Sequence, residues 1–166
     1  MSGALTEIEI RHIGQNFTLK SGILEVLRDI DLTVAKGEFV TIVGESGCGK
    51  STLLRLIAGL DRPSAGEILV KGEQVREPSV KVGVLFQESR LLPWYTVEKN
   101  IAYGLPKGTS EKEKAERVRE LIELVGLSGF EKALPEQLSG GMQKRCAIAR
   151  TLVAGPEVLL LDEPFG

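Results

Sequence analysis

The stretch Phe39-Val40-Thr41-Ile42-Val43-Gly44-Glu45-Ser46-Gly47-Cys48-Gly49-Lys50-Ser51-Thr52 decides the fold of this 166-residue chain. It predicts a short apolar strand over 39–43, a glycine-rich loop, and then a helix over 51–60. Residues 44–51 fit the pattern G-x-x-x-x-G-K-[ST] of a loop that cradles phosphate, and the strand before it and the helix after it are the context which that pattern requires. The sequence therefore predicts an α/β fold built around a phosphate-binding loop.

The residue types in this loop suit a triphosphate bound with Mg²⁺. Glycines let the backbone approach phosphate closely, so that successive N–H groups form an anion nest at the positive end of the following helix. Lys50 is expected to neutralise the β- and γ-phosphates, and Ser51 to offer its hydroxyl to Mg²⁺. A tight glycine turn without a ligand is the alternative. We expect ATP and Mg²⁺ as cofactors, with nucleotide contacts from Gly44, Glu45, Ser46, Gly47, Cys48, Gly49, Lys50, Ser51 and Thr52.

A second candidate site follows the apolar run 158–161, which predicts a strand buried on both faces in a parallel sheet with helices on each side. Asp162 and Glu163 lie where this strand emerges, at the edge where open α/β sheets bind ligands. Asp162 would hold Mg²⁺, and Glu163 would polarise the water that attacks the γ-phosphate. Considered alone, the pair could equally end an ordinary strand.

Other segments predict an antiparallel part in the N-terminal region. Residues 5–11 and 25–34 mix β-branched and charged residues in rough alternation, which is typical of antiparallel strands with one solvated face. Residues 66–72 and 82–86 predict two further strands.

Helix-forming residues dominate between 88 and 135 and predict a compact helical insertion. Ser110 and Glu113 form a capping-box pattern before an amphipathic helix that Gly126 ends. Ser139 can cap a further helix that runs to about Ala154.

Composition fits a soluble globular domain, with 42% hydrophobic and 27% charged residues. A formal charge of -2 gives no electrostatic argument for nucleic acid as a partner. No apolar run approaches the ~20 residues needed to cross a bilayer, and residues 1–10 lack the features of a secretory signal. Cys48 and Cys146 lie far apart and outside any metal-ligand spacing. We expect a cytoplasmic protein.

The run Leu138-Ser139-Gly140-Gly141-Met142-Gln143 resembles the signature of the ATP-binding cassette (ABC) family. With the other motifs in the family's order, the resemblance extends from Phe17 to Gly166. It implies a P-loop NTPase of the ABC ATPase type, with a parallel core sheet flanked by helices. It also implies a head-to-tail homodimer, in which Ser139, Gly140 and Gly141 of one chain touch the ATP held by the other. Without the family, the run indicates only a capped helix start.

The resemblance also implies roles for Gln87 and Phe17. Gln87 matches the family's glutamine that contacts Mg²⁺ or the attacking water, although a polar surface residue is the alternative. Phe17 falls where the family places an aromatic ring on adenine, and a core phenylalanine is the alternative. The implied catalytic residues are Glu163, Gln87 and Lys50, and the implied metal ligands are Ser51, Gln87 and Asp162.

The segment 87–100, and above all Leu91-Leu92-Pro93-Trp94, is similar to the branch that serves nitrate, alkanesulfonate and taurine importers. In the family this segment lies where a coupling helix of the membrane subunit docks, so Trp94 and Tyr95 are candidate contacts, with a packed aromatic pair as the alternative. The implied protein is the ATP-hydrolysing subunit of an importer, peripheral on the inner face of the cell membrane. Its implied partners are a second identical subunit, transmembrane permease subunits and, indirectly, a substrate-binding protein. The rival interpretation is a non-transport ABC ATPase, or a regulatory nucleotide-binding module without turnover.

The resemblance implies one ABC ATPase domain that is incomplete at its C-terminus. Residues 1–87 and 136–166 would form the ATP-binding core, and residues 88–135 the helical subdomain. Family members continue to a histidine that contacts the γ-phosphate, whereas His12, the single histidine here, is expected on the surface. We therefore expect slow or absent hydrolysis, and an unpaired sheet edge beside 39–43 that makes the chain less stable than a longer version.

Overall fold

A computed structural model of the chain describes residues 6–163. These residues fall into two compact units that divide between Ser79 and Val80. The first unit contains β1 (Thr6–Leu19), β2 (Gly22–Ala35), α1 (Lys50–Ile57), β3 (Ala65–Val70) and β4 (Glu73–Gln74). The second contains β5 (Val82–Leu85), α2 (Val97–Ala102), α3 (Glu111–Leu124), a 3-10 turn (Pro135–Gln137), α4 (Gly140–Leu152) and β6 (Val158–Leu161).

The first unit is built on an antiparallel sheet in the order β2-β1-β3-β4. Ile10 of β1 lies between Leu32 of β2 and Ile68 of β3 in the strand register. The predicted antiparallel strands are confirmed, although β1 and β2 are longer than predicted and Leu5 lies outside the described residues. The apolar core of this unit is formed by side chains from β1, β2 and β3 and from one face of α1: Ile8, Ile10, Ile13, Leu27, Ile68, Val70, Leu53, Leu56 and Ile57. Glu7 and Gln15 of β1 are buried as well.

The strand predicted over 39–43 is wrong. These residues have no regular secondary structure, and the side chains of Phe39 and Val43 are each 84% exposed. A strand persists only where its N–H and C=O groups find partners on a neighbouring chain segment. Between residues 6 and 163, no strand pairs with this run. Its apolar composition therefore does not suffice to make it a strand.

The second unit has a helical core and a two-stranded parallel sheet. Side chains from α2, α3 and α4 meet in one buried cluster, which includes Ile101, Ile122 and Cys146. The parallel sheet predicted for residues 158–161 is confirmed, with β5 as the partner of β6. Burial of β6 on both faces is wrong, because Leu159 is 45% exposed between buried Val158 and Leu160. Such alternation is typical of a sheet covered on one face. No helix within residues 6–163 is long and apolar enough to cross a membrane.

Two serines begin helices as predicted. The Ser110 hydroxyl accepts a hydrogen bond from the Glu113 N–H at 3.3 Å, which is one half of the predicted capping box. The Glu113 carboxylate pairs instead with Arg117 at 3.0 Å, one turn further along α3. The Ser139 hydroxyl caps α4 in the same way, and α4 ends at Leu152 rather than at Ala154.

Asn100, a residue for which we predict no structural role from sequence, organises the turn before α2. Its side chain is completely buried. The Asn100 Oδ1 accepts from the Leu92 N–H at 2.8 Å, and Nδ2 donates to the carbonyl oxygens of Tyr95 at 2.8 Å, Leu92 at 3.1 Å and Thr96 at 3.2 Å. The Thr96 and Leu92 carbonyls also accept from backbone N–H groups, so the Leu92 N–H and the Tyr95 carbonyl are the groups that depend most on this side chain.

We predict that Asn100→Ala lowers the free energy of unfolding by roughly 2–3 kcal/mol, because it removes the partner of the Leu92 N–H and of the Tyr95 carbonyl in a partly buried turn. Urea unfolding followed by circular dichroism measures this change. Glu116→Ala, on the exposed side of α3 in the same unit, serves as the control and should change it by less than about 0.5 kcal/mol. Equal effects of the two substitutions would contradict the role of Asn100.

Candidate functional site

The loop between β2 and α1 closes around the ammonium group of Lys50. The Lys50 Nζ donates to the carbonyl oxygens of Gly44 and Glu45, each at 2.9 Å. The Cys48 N–H donates to the Glu45 carbonyl at 3.3 Å. A lysine side chain therefore folds back over its own loop, where its charge is held by carbonyl oxygens that phosphate oxygens could replace.

Glycine is required at 49 for two independent reasons. Its φ of 100° lies in the left-handed region, which L side chains rarely adopt. A Cβ there would lie 2.8 Å from Cδ2 of Leu27 and 3.1 Å from Cγ1 of Val26. Gly47 also has a positive φ, of 81°, and a Cβ at Gly44 would lie 2.7 Å from Sγ of Cys48. The positive φ at Gly47 and Gly49 and the close contacts at Gly44 and Gly49 thus favour glycine at these three positions.

The first turn of α1 offers backbone donors to a ligand. Gly49 is the N-cap and supplies no side-chain acceptor, and the first turn contains no acidic residue. The N–H groups in the first turn of any helix have no acceptor within the helix itself. This end of α1 therefore carries positive partial charge with no carboxylate of its own first turn to compensate it.

Phe17 lies on the β1–β2 hairpin that the loop contacts. It pairs with Leu24 of β2 in the strand register, and its side chain is 39% exposed. Val26 and Leu27, which pack against Gly49, follow Leu24 on the same strand. The ring is therefore accessible rather than buried in the core, and it belongs to the hairpin that supports the loop.

Gln87, Asp162 and Glu163 follow the carboxyl ends of two neighbouring parallel strands. Leu85 and Leu161 are partners in the register of β5 and β6, and the Asp162 N–H donates to the Leu85 carbonyl at 2.9 Å. Gln87 comes two residues after the end of β5, one residue later than predicted, and it is exposed. Glu163 is exposed as well, with a left-handed φ of 46°. The structure thus brings these three residues to one edge of the β5–β6 sheet.

Ser139, Gly140 and Gly141 form an open surface at the N-terminus of α4. The Ser139 Oγ accepts from the Met142 N–H at 3.3 Å. The Gln143 Nε2 donates to the carbonyl of Pro135 at 2.9 Å, which fixes the turn before the helix. A Cβ added to Gly140 or Gly141 would meet no atom within 4 Å. Packing among residues 6–163 therefore does not explain the two glycines.

The predicted residues divide between the two units. Phe17 and the loop of residues 44–52 belong to the first unit, and Gln87, Ser139, Gly140, Gly141, Asp162 and Glu163 to the second. Within each unit the structure places the predicted residues at accessible positions.

Sequence reasoning missed one group of possible metal ligands, formed by His12, Asp29 and Asp31 across β1 and β2. Their ligand atoms lie within 4.8 Å of one another, and all three side chains are exposed. The His12 Nδ1 lies 2.8 Å from an Asp29 carboxylate oxygen, and this contact, with the charge of Asp31, raises the pKa of His12. The surface position predicted for His12 is confirmed. These residues come together only because β1 pairs with β2, and the register between the two strands is irregular at this point. Their spacing along the chain therefore does not indicate a metal site.

Exposed aromatic rings follow the segment that contains Gln87. Trp94 is 68% exposed, and its ring meets that of Tyr95 edge-on at 6.4 Å between centroids. Tyr95 also lies 6.2 Å from Tyr103, whose side chain is largely exposed. The aromatic pair is therefore packed and at the same time presented to solvent.

Comparisons with known proteins agree with these observations. The model of the ABC transporter family matches residues 27–166. An aliphatic sulfonates import ATP-binding protein, SsuB of Bacillus cereus, is 50% identical over 159 residues, which cover 96% of this chain and 62% of that protein. A nitrate import ATP-binding protein, NrtD of Synechocystis, is 48% identical over 160 residues, which cover 96% of this chain and 60% of that protein. The chain thus spans about three fifths of the length of these relatives.

A solved structure also resembles the chain. The dimeric ATP-binding cassette MJ0796, in a post-hydrolysis state bound to ADP and Pi, has a TM-score of 0.84 and 31% sequence identity over 95% of this chain and 74% of that one. The predicted fold class is confirmed by this similarity, with an antiparallel N-terminal sheet and a parallel pair of strands.

We predict that a maleimide reagent labels the folded chain once, at Cys48, at pH 7.5. Cys48 is exposed in the loop, whereas Cys146 is buried and its burial raises the pKa of the thiol to about 11. Mass spectrometry of the labelled peptides measures the result, and Cys48→Ser should abolish labelling. Rapid labelling of Cys146 without denaturant would contradict the burial of this thiol.

The same thiol predicts how stability depends on pH. Because the folded pKa of Cys146 is raised, the unfolded chain loses this proton first, and unfolding releases a proton between the ordinary pKa of 9.0 and about 11. Stability should therefore fall as pH rises through this window. Urea midpoints from pH 8 to 11 measure the fall, which Cys146→Ala should reduce. An identical pH dependence in that variant would contradict the assignment.

Proposed function

The chain belongs to the ABC transporter family, and from that membership we propose that it is the ATP-binding and ATP-hydrolysing subunit of an importer for a small anion. The observation that carries the proposal is the loop of residues 44–50, folded around the Lys50 ammonium at the start of α1. Phosphate oxygens would replace the Gly44 and Glu45 carbonyls at Nζ and accept the N–H groups of the first turn. The exposed ring of Phe17 would stack on adenine.

Hydrolysis is assigned to the residues at the ends of β5 and β6. Glu163 would accept a proton from the attacking water, and Gln87 would help to orient that water. The oxygen ligands available for Mg²⁺ are the Ser51 hydroxyl, the Gln87 amide and the Asp162 carboxylate, which are the hard donors this ion prefers. Bound Mg²⁺ would neutralise phosphate charge during transfer.

A homodimer would complete the nucleotide site. Ser139, Gly140 and Gly141 are exposed and unobstructed, and the N-terminus of α4 favours an anion. We propose that these residues contact the γ-phosphate of ATP held by a second copy in a head-to-tail arrangement. The similarity to a dimeric cassette supports this arrangement.

In this proposal the chain is one ABC ATPase domain, with residues 1–87 and 136–166 as the ATP-binding core and residues 88–135 as the helical part.

The partners outside the dimer would be membrane permease subunits. The aromatic group of Trp94, Tyr95 and Tyr103 presents apolar surface that such a partner would cover. The similarity to ATP-binding proteins named for aliphatic sulfonates and nitrate supports an oxyanion as cargo, with taurine in the same chemical class. A substrate-binding protein would deliver the cargo to the permease, and this chain would lie on the cytoplasmic face of the membrane.

We predict that Lys50→Ala weakens MgATP binding by roughly a hundredfold, because the loop loses its charge-assisted contacts to phosphate. Titration with a fluorescent ATP analogue measures affinity, and protection of Cys48 from maleimide gives an independent readout on the same loop. Lys36→Ala, an exposed lysine of the same unit, is the control and should leave both unchanged. Unaltered affinity in the Lys50 variant would sink the proposal.

We also predict that Glu163→Gln, in a chain extended to the length of its relatives, accumulates an ATP-bound dimer, because binding persists when proton abstraction is lost. Light scattering with MgATP measures the mass. Adding Gly141→Arg should return the protein to a monomer, since the new side chain projects into open space where a second copy would dock. Glu116→Gln, on the exposed face of α3, is the matched control and should not accumulate the dimer. A strictly monomeric Glu163→Gln protein would argue against the dimer.

A further inference from the structure

Arg150, in the last turn of α4, forms hydrogen bonds with the backbone of the segment that carries Gln87. Its Nη1 donates to the Arg90 carbonyl at 2.9 Å, and its Nη2 donates to the Ser89 carbonyl at 3.0 Å. The guanidinium is a rigid planar fork, so two adjacent carbonyls fix both its position and theirs. Gln87 lies two residues before the first of these carbonyls.

The conformation of the segment 86–90 depends on these hydrogen bonds from Arg150. Gln87, Glu88 and Arg90 are exposed, and Arg90 has a left-handed φ of 43°, which a non-glycine residue adopts only when its surroundings impose it. The Arg90 guanidinium lies over the Phe86 ring at 4.7 Å, which draws the two ends of the segment together. Gln87 therefore lies in a bend whose two ends are joined by a cation–π contact. Hydrogen bonds from Arg150 connect the same segment to α4.

Arg150 is itself held firmly on both sides. A Cβ at Gly104, just after α2, would lie 2.1 Å from the Arg150 carbonyl oxygen, so the two backbones are in direct contact. A Cβ at Gly83 of β5 would lie 2.9 Å from Cγ2 of Thr151. The end of α4 is thus wedged between β5 and the end of α2, and a movement of α4 would carry the guanidinium with it.

The partial burial of Arg150 increases the importance of its hydrogen bonds to the two carbonyls. Arg150 is partly buried, and this loss of solvent lowers the pKa of its guanidinium. The two carbonyls replace part of the lost hydration. Releasing segment 86–90 would leave a partly buried charge with fewer acceptors, so the positions of α4 and of this segment are linked energetically.

The opposite end of the same helix presents Ser139, Gly140 and Gly141. From Gly140 to Arg150 there are ten residue steps of ~1.5 Å, so about 15 Å of helix connects this surface to the guanidinium. We infer that Arg150 is a positioning residue that ties Gln87 to α4, so that docking of a partner at Ser139 is transmitted to Gln87 within the same chain. The inference rests on the proposed function for the roles of Ser139 and Gln87.

A second arginine of α4 provides a matched control. Arg145 also donates to two adjacent backbone carbonyls, those of Val125 at 2.8 Å and Gly126 at 2.9 Å, but these follow α3. Removal of either guanidinium therefore deletes the same number of charge-assisted hydrogen bonds from the same helix. Only Arg150 touches the segment that carries Gln87.

Hydrogen–deuterium exchange of the peptide 86–92 tests directly whether the hydrogen bonds from Arg150 hold this segment in place. Arg150→Met should speed its exchange roughly tenfold, since two charge-assisted bonds are lost. Arg150→Gln, which can satisfy one carbonyl, should give a smaller increase and guards against misfolding of the first variant. Arg145→Met should leave this peptide unchanged and loosen residues around 125–126 instead. Unchanged exchange of 86–92 in both Arg150 variants, or equal loosening by Arg145→Met, would overturn the inference.

Transmission is tested in the Glu163→Gln background, where MgATP is expected to drive dimerisation without turnover. Dimerisation should slow exchange of 86–92 in that protein and in its Arg145→Met derivative, but not when Arg150→Met is added, while MgATP affinity stays within about twofold. Slowing that persists with Arg150→Met overturns transmission through Arg150 and leaves the proposed function intact. Failure of the unsubstituted chain to bind MgATP overturns the proposed function itself, whatever the exchange shows.

Discussion

The close approach of the Gly49 backbone to Val26 and Leu27 is the constraint on which the candidate site depends. It fixes where α1 starts relative to the β1–β2 hairpin, and so where Lys50 leaves the backbone. With α1 anchored there, the loop must reverse direction within a few residues, which the positive φ of Gly47 and Gly49 permits. The Lys50 ammonium then falls within reach of two loop carbonyls. A side chain at 49 would move the helix start and scatter the donors that face an anion.

The two glycine-flanked helix starts, of α1 and α4, differ in how much of their hydrogen bonding is already used. Gly49 gives α1 no side-chain acceptor, so no cap from that residue competes with a ligand at the helix start. At α4 the Ser139 Oγ accepts from the Met142 N–H, but a hydroxyl that accepts can still donate its own proton. Ser139 can therefore cap its helix and present a donor to an incoming anion together. The first start suits a tightly enclosed phosphate, and the second an anion that arrives from outside the chain.

Local chemistry could be predicted from the sequence, and long-range pairing could not. Ser110 and Ser139 cap helices through contacts three residues away, and the glycine-rich loop shapes itself around a lysine in the same motif. The strand predicted at residues 39–43 was wrong because a strand needs a pairing partner, which the run itself does not specify. The burial predicted for Leu159 was wrong because it depends on which elements cover the face of the sheet. Asn100 and Arg150 gave no signal, since they act on backbone carbonyls, which carry no sequence identity.

Two arginines of α4 bind backbone carbonyls of neighbouring segments, in addition to the apolar contacts that this helix makes with α2 and α3. Arg145 supplies donors to the last carbonyls of the α3 terminus, which no helical N–H can reach, and Arg150 does the same for an irregular turn. A lysine would offer one point charge, whereas the guanidinium fork fixes two carbonyls at once. Hydrophobic packing alone would tolerate sliding of α4 against these segments, but paired directional bonds do not. The paired bonds therefore fix α4 to the ends of both segments more rigidly than apolar contacts would.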